Sequence, residues 1–210
     1  NCIIDDEACR EASKQEIIRR YYKCLCEKRR NGTTKDDICK LELLMKQAEI
    51  TVEDRKVTIV ALEREKNENG NPAMAIELRD GTIVSGGTSE LLGAASSALI
   101  NALKVLAGID KEVKLIDPKA IDPIQDLKIN YLGSKNPRLH TDEVLTALSA
   151  TAANNEIAMK AMKKLPLLKG CDAHSTVLLS SVDEQIFKKL GIQLTCEPKY
   201  EEDERMYHKN

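Results

Sequence analysis

AMAIELRDGTIVSGGTSELLGAASSALINALKVLAG, residues 73–108, decides the fold. Ala73 to Leu78 is apolar and of strand length. Asp80-Gly81 supplies the positive φ angles of a two-residue hairpin turn. The β-branched run Thr82-Ile83-Val84, with Ser85, returns the chain antiparallel, and Gly86-Gly87 breaks it. Thr88 or Ser89 is then placed to cap a helix, with Glu90 in a first turn that favours negative charge. From Leu91 to Ala107 apolar residues run almost all round the helix. Leu91, Ala95, Ala98, Leu99, Ala102 and Leu106 form one stripe, widened by Leu92 and Leu103. Such a helix is buried on more than one side. Its length approaches that of a membrane span, but Asn101, Lys104 and the many alanines, in a heavily charged chain, make it a core helix instead.

Working outward, Asp5 to Arg30 reads as a helix with an acidic first turn and a largely basic last one. Ala8, Ala12, Ile18, Tyr22 and Leu25 share a stripe, and Asn31-Gly32 ends it. Thr34-x-x-Asp37 resembles a capping box opening a second helix, with Ile38, Leu41, Met45 and Ala48 on its inner side. This pair, residues 1–54, has too little apolar area to stand alone. Val57–Leu62 is expected as a strand. Val113–Ile116 is expected as another, completing a strand–helix–strand crossover. Helices follow over Ile121–Tyr131, with Pro123 in the first turn, over 141–153 with Thr141 as cap, and over 155–165. Ser175–Leu179 is a strand. Ser181-x-x-Glu184 caps a helix over 183–190, and Ile192–Cys196 is the last strand. From Glu197 the charged tail has nothing to order it. The expected fold is α/β: a mixed-sheet, three-layer αβα domain over 55–198, preceded by the two-helix module and followed by the tail 199–210.

The 210 residues carry a formal net charge of −2, with 31% charged and 42% hydrophobic residues. That balance points to neither nucleic acid nor an anionic membrane as partner. No Trp, one Phe and five Tyr leave no stacking platform for single strands. The seven cysteines are odd in number, and five lie in the first forty residues. With no signal peptide, reduced thiols in the cytoplasm are expected. Cys24-x-Cys26 on a helix points to two faces, so no metal site is expected and no cofactor is implied. The start at Asn1, without an initiator Met, reads as a piece of a longer chain.

Three polar stretches offer chemistry. Gly86-Gly87-Thr88-Ser89-Glu90 can hold an anion on free N–H groups at a helix start, although it is neither a Walker loop nor a Rossmann fingerprint. Gly133-Ser134-Lys135-Asn136-Pro137-Arg138, followed by His140, gathers a hydroxyl, an amide and two cations suited to phosphate or carboxylate. Asp172-Ala173-His174-Ser175-Thr176, at a strand mouth, offers a proton shuttle or ligand. The candidate ligand-binding residues are therefore Thr88, Ser89, Ser134, Lys135, Asn136, Arg138, Ser175 and Thr176, with His140 and His174 as catalytic candidates. Each stretch has a plain structural alternative: a strand end with a cap, a surface loop, and a histidine bonded to backbone.

A strand, a hairpin and a buried helix in this order resemble the cytidine-deaminase architecture. That family's zinc ligands come from a His- or Cys-x-Glu helix start and a Pro-Cys-x-x-Cys segment. Here Thr88-Ser89-Glu90 stands at the first and the second is absent, so zinc deamination is not expected. DDEACREASKQEIIRRYY (5–22), TSELLGAASSALINALKVLAG (88–108), LGSKNPRLHTDEVLTALS (132–149) and LKGCDAHSTVLLSSVDEQIFKKLGIQLTCEP (168–198) resemble the C-terminal part of a bacterial family built around a domain of unknown function. The resemblance implies a cytosolic protein of about 500 residues, with a P-loop-like segment outside this chain. Some members are labelled ATP-dependent zinc proteases; no residue here matches a zinc-protease motif or a P-loop, so neither activity carries over. Three readings stand. The chain contributes loops 133–140 and 172–176 to a nucleotide- or phosphorylated-metabolite site shared with the rest of the polypeptide. It is instead a structural or homo-oligomerisation module. Or it is a hydrolase using His174 with a carboxylate.

Overall fold

The computed structural model describes residues 5–32 and 35–201. The helices are α1 (Asp6–Asn31), α2 (Lys35–Gln47), α3 (Lys56–Asn67), α4 (Ala94–Ala107), α5 (Pro118–Asp126), α6 (Thr141–Ala152), α7 (Glu156–Met162) and α8 (Ser181–Lys189). The strands are β1 (Ala73–Glu77), β2 (Ile83–Gly87), β3 (Asp172–Ser175) and β4 (Gln193–Cys196). They form one mixed sheet in the order β2-β1-β3-β4, with β1 antiparallel to both neighbours and β3 parallel to β4. The carboxyl ends of β2, β3 and β4 therefore share one edge of the sheet.

Helices cover both faces. Met74, Ile76 and Ala173 face a core shared with Leu99 and Leu103 of α4, Val144 and Leu148 of α6, Ala158 and Ala161 of α7, and Phe187 of α8. On the opposite face Ala75 packs on Val57 and Ala61 of α3 and His174 meets Tyr22 of α1; at the β4 edge Cys196 packs on Cys26 of α1. Ile18 and Tyr22 of α1, Met45 of α2 and Ile50 form a smaller cluster, in which Ile18, Tyr22 and Met45 keep the expected inner faces. Ala8, Ala12 and Ala48 are exposed.

Several expectations are corrected. Val57–Leu62 is helical: its buried residues are Val57, Thr58 and Ala61, spaced as on a helix, and the strong helix formers that follow extend it. Val113–Ile116 forms no strand; Leu115 and Ile116 enter the core from a loop, and the sheet's third strand is β3. The hairpin loop has three residues, because Leu78 N donates to Thr82 O and Gly81 N to Leu78 O, with Gly81 at φ +84°. That is a type I turn followed by a left-handed residue. The buried helix starts four or five residues late: Leu139 N donates to Leu91 O and Leu92 bridges Leu139, so Leu91 and Leu92 are extended and Gly93 is the N-cap. Pro118 opens α5, which places Pro123 inside it, and a π-helical turn, Leu127–Tyr131, follows. His140 rather than Thr141 precedes α6. Ser180, not Ser181, caps α8 by accepting from Asp183 N. The expected box at Thr34 lies outside the described residues, as does Cys2.

The segment after β4 is not loose as far as Glu201. Glu197 N donates to Ser175 O, and Leu178 N to Lys199 O. Lys199 pairs with Glu65 at 2.8 Å, and the Arg29 guanidinium stands 5.4 Å above the Tyr200 ring. Residues 202–210 lie outside the described residues.

Candidate functional site

At the sheet edge where β2 and β3 end, the N-termini of α4, α6 and α8 converge on a cavity of about 50 Å³. Pro72, Thr88, Gly93–Ser96, Asn136, Arg138–His140, Ser180, Asp183 and Glu201 are among its lining. This is the crevice beyond the carboxyl ends of the strands, where open α/β sheets bind ligands.

The loop preceding α6 is held rigidly. The π-helical turn points Lys128 inward, where its Nζ donates to Arg138 O at 2.7 Å and to Glu143 Oε2 at 2.8 Å. Gln125 Nε2 donates to Pro137 O, and Ser96 Oγ to Leu139 O, both at 2.9 Å. These bonds place Asn136, Arg138 and His140 on the cavity wall.

Asp183 ties two of the helix starts together. It accepts from Thr141 N at 2.9 Å and Thr141 Oγ1 at 2.8 Å on one oxygen. On the other it accepts from Ser180 Oγ at 2.7 Å and meets His140 Nδ1 at 3.0 Å. Burial pushes its carboxyl up, but His140, the Thr141 amide and Ser180 outweigh that and bring it down to about 2. The same contact with Asp183 raises the His140 pKa, against the opposing effect of burial. The N-termini of α6 and α8 thus have acceptors.

The start of α4 does not. Its N-cap is Gly93, which has no side chain to offer, and the N–H groups of Ala94, Ala95 and Ser96 are uncapped although these residues are buried. Buried helix starts normally have acceptors, and a bare one attracts an anion. Asn136, only 8% exposed, adds to this. Its Oδ1 accepts from Arg138 N at 3.0 Å, which leaves the Nδ2 donors, and no described group accepts from them. Arg138 Nη1 donates to Glu201 Oε1 at 2.6 Å beside them.

The sequence candidates divide. Thr88, Asn136, Arg138 and His140 line this cavity. Lys135 is exposed, Ser134 Oγ accepts from Asn136 N within its own loop, and Ser89 Oγ accepts from Leu92 N. Gly86-Gly87-Thr88 is not a helix start. Gly86 is required because a Cβ there would fall 2.3 Å from Ala98 N, so it lets β2 lie close on α4. Ser175 Oγ donates to Val177 O, and Thr176 Oγ1 accepts from Ala73 N, both residues fully buried.

His174 lies within β3 rather than at its mouth, 0% exposed. Its Nδ1 stands 2.9 Å from Thr195 Oγ1 and its ring 4.9 Å from that of Tyr22. Nε2 is 3.2 Å from Glu197 Oε1 without forming a hydrogen bond, while Tyr22 Oη donates to that carboxylate at 3.0 Å. Burial pushes the His174 pKa down, against the pull of Glu197. His140 and His174 therefore belong to two different networks. Asp183, Ser180, Glu197 and Arg55 were not among the sequence candidates. The first two carried a signal, a Ser-x-x-Asp at a helix start, one residue from the box that was read; the others carried none.

A larger groove, of about 950 Å³, runs between α1, α2 and the open edge of β4. Its charges alternate in sign and pair with each other, as Arg19 with Glu16 and Arg30 with Glu184, so it gathers no convergent donors. Among the described residues no cluster of His, Cys, Asp and Glu could hold a metal ion, no disulfide joins the cysteines, and no helix is long and apolar enough to cross a membrane.

Fold and cavity together define a mixed α/β protein with a small polar-lined crevice at the strand ends. Residues 53–207 match the family described as domain of unknown function DUF1846, C-terminal, and residues 1–49 match domain of unknown function DUF1846, N-terminal. The chain belongs to this DUF1846 family. It is 53% identical over 200 residues to a UPF0371 protein of Corynebacterium urealyticum, covering 95% of this chain and 40% of that protein. It is 51% identical over 207 residues to a UPF0371 protein of Streptococcus thermophilus, covering 99% and 42%. The chain spans about two fifths of the length of these curated relatives.

Proposed function

We propose that this chain provides the anion-binding part of a site for a phosphorylated metabolite, in the cytoplasm, within a longer polypeptide. The observation that carries the reading is the bare start of α4. Three buried N–H groups, the Asn136 amide and Arg138 border one cavity, and the helix supplies its own partial positive charge. A volume of about 50 Å³ suits one phosphoryl or carboxylate group. It is well below the roughly 300 Å³ or more of a pocket that swallows a whole drug-sized ligand. The rest of the ligand would lie outside, against other parts of the longer chain. His140, oriented through Nδ1 by Asp183, stands at the same wall as a proton donor or acceptor. The cytoplasmic placement is supported by the absence of disulfides among the described residues; Cys26 is buried and its thiol pushed up to about 12 by that burial, the inert kind of thiol.

The test is binding of inorganic phosphate and phenyl phosphate to the chain, followed by calorimetry and by melting temperature. A ligand at about 100 times its Kd adds roughly 2.7 kcal/mol, which raises the melting point by several degrees. Arg138→Gln should weaken binding about tenfold or more. Equal binding by parent and variant would move the site elsewhere, and no binding by either would leave the structural or homo-oligomeric reading in its place.

A further inference from the structure

We propose that Glu201 is a tethered carboxylate that holds Arg138 at the wall of this cleft, so that an incoming anion has to compete with it for that guanidinium. The inference rests on the anion-site reading and adds its regulation. Arg138 and Glu201 are 20% and 13% exposed in their side chains, and the Nη1–Oε1 contact is 2.6 Å. Both line the cavity that holds the α4 start and Asn136. A carboxylate and a phosphoryl group present the same charge-bearing oxygens to a guanidinium, so they compete for Arg138.

Glu201 does not reach the cleft from a loose end. The strap from Glu197 to Glu201 is fastened at each step: Glu197 through Tyr22 and its own N–H to Ser175 O, Lys199 through Glu65 and through its carbonyl to Leu178 N, and Tyr200 under Arg29. A group held this way competes at a high effective concentration, of millimolar order for short tethers. The side-chain fasteners of the strap, Tyr22, Arg29 and Glu65, lie on α1 and α3, while its two backbone bonds go to Ser175 and Leu178 beside the cleft. The strap thus ties α1 and α3 to the carboxylate that competes for the site.

The experiment compares phosphate binding by calorimetry in the parent chain, Glu201→Gln and Glu201→Asp, with melting temperatures as the check on folding. Glu201→Gln keeps the size and removes the charge; it should bind phosphate roughly tenfold tighter. Glu201→Asp keeps the charge but retracts it by one methylene, and should fall between the two. Parent and Glu201→Gln binding equally, or Glu201→Gln binding more weakly, would overturn the tether while leaving the anion site intact. Absence of binding in all three folded proteins would overturn the site and the tether together. Should Glu201→Gln melt too low to measure, Glu201→Asp decides alone: tighter binding than the parent supports the tether, and equal or weaker binding rejects it.

Discussion

Two histidines with opposite titration illustrate how much a residue's neighbours decide. His140 is raised by its contact with the Asp183 carboxylate, so its contribution to stability is complete below the unfolded value of about 6.5 and disappears as pH rises through the folded one. His174 is lowered by burial. Its unfolded form binds the proton more readily, so stability drops as pH falls below about 6.5 toward the folded value. His140→Gln should therefore cost about 1 kcal/mol at roughly pH 5.5 and less near pH 8.5. His174→Gln should show the reverse trend, its deficit shrinking as the solution is acidified. Urea midpoints of the parent and both variants at the two pH values check this. Parallel trends for the two would mean that the charge on one of them is set by something other than Asp183 or burial. The chemistry of both was visible as residue type, but the partners were not. Asp183 and Glu197 stand 43 and 23 residues away from them in the chain, and only the fold brings them near.

At the scale of elements, what the sequence showed depended on how local the cause was. The hairpin, α4's buried body and the stop at Gly32 are matters of neighbouring residues, and they were legible. The start of α4 was not, because Leu91 and Leu92 are drawn into extended pairing by Leu139, a residue from a later loop. Val57–Leu62 was misread for a related reason. A six-residue apolar run has no period that separates strand from buried helix, and the side it buries is chosen by Ala75 of the sheet. The delayed start leaves Gly93 as the N-cap, and that vacancy of side chain is testable. A Cβ on Gly93 meets nothing within 4 Å, and its φ of −68° and ψ of 162° suit any residue. Gly93→Asp should cap α4 and raise stability by about 1 kcal/mol, while its carboxylate takes the N–H groups that the anion would use. The expected result is a higher urea midpoint with weaker phosphate binding. A gain in stability with phosphate binding unchanged would place the anion away from the α4 start.

For the whole molecule, the question is what makes the helical pair and the sheet one body. Apolar burial between them is modest: Cys26 against Cys196 and Leu178, with Tyr22 on His174. The stronger joint is Arg55, in the short turn before α3 and only 1% exposed. All five of its N–H donors are used. Nε donates to Thr195 Oγ1, Nη1 to Gln15 Oε1 and Asp172 Oδ1, and Nη2 to the carbonyls of Ala173 and Gln193. One guanidinium thus reaches α1, β3 and β4. Burial lowers its pKa and Asp172 works against that, so the charge depends on its partners for compensation. Arg55→Met would keep much of the volume but leave two strand carbonyls without their side-chain donor and Asp172 with Arg19, 3.6 Å away, as its neighbouring cation. Removing one partner of a buried ion pair costs about 3–5 kcal/mol, a large part of the roughly 5–15 kcal/mol that holds a domain folded. The measurement is urea unfolding followed by circular dichroism and by tyrosine fluorescence, in a background where Tyr131, Tyr200 and Tyr207 are replaced by Phe so that the emission reports Tyr21 and Tyr22 on α1. If Arg55 is the joint, the variant loses the α1 signal at lower urea than the helical signal of the remaining core, whereas the parent loses both together. A single coincident transition, shifted by less than about 1 kcal/mol, would show that apolar contacts alone keep the two parts together.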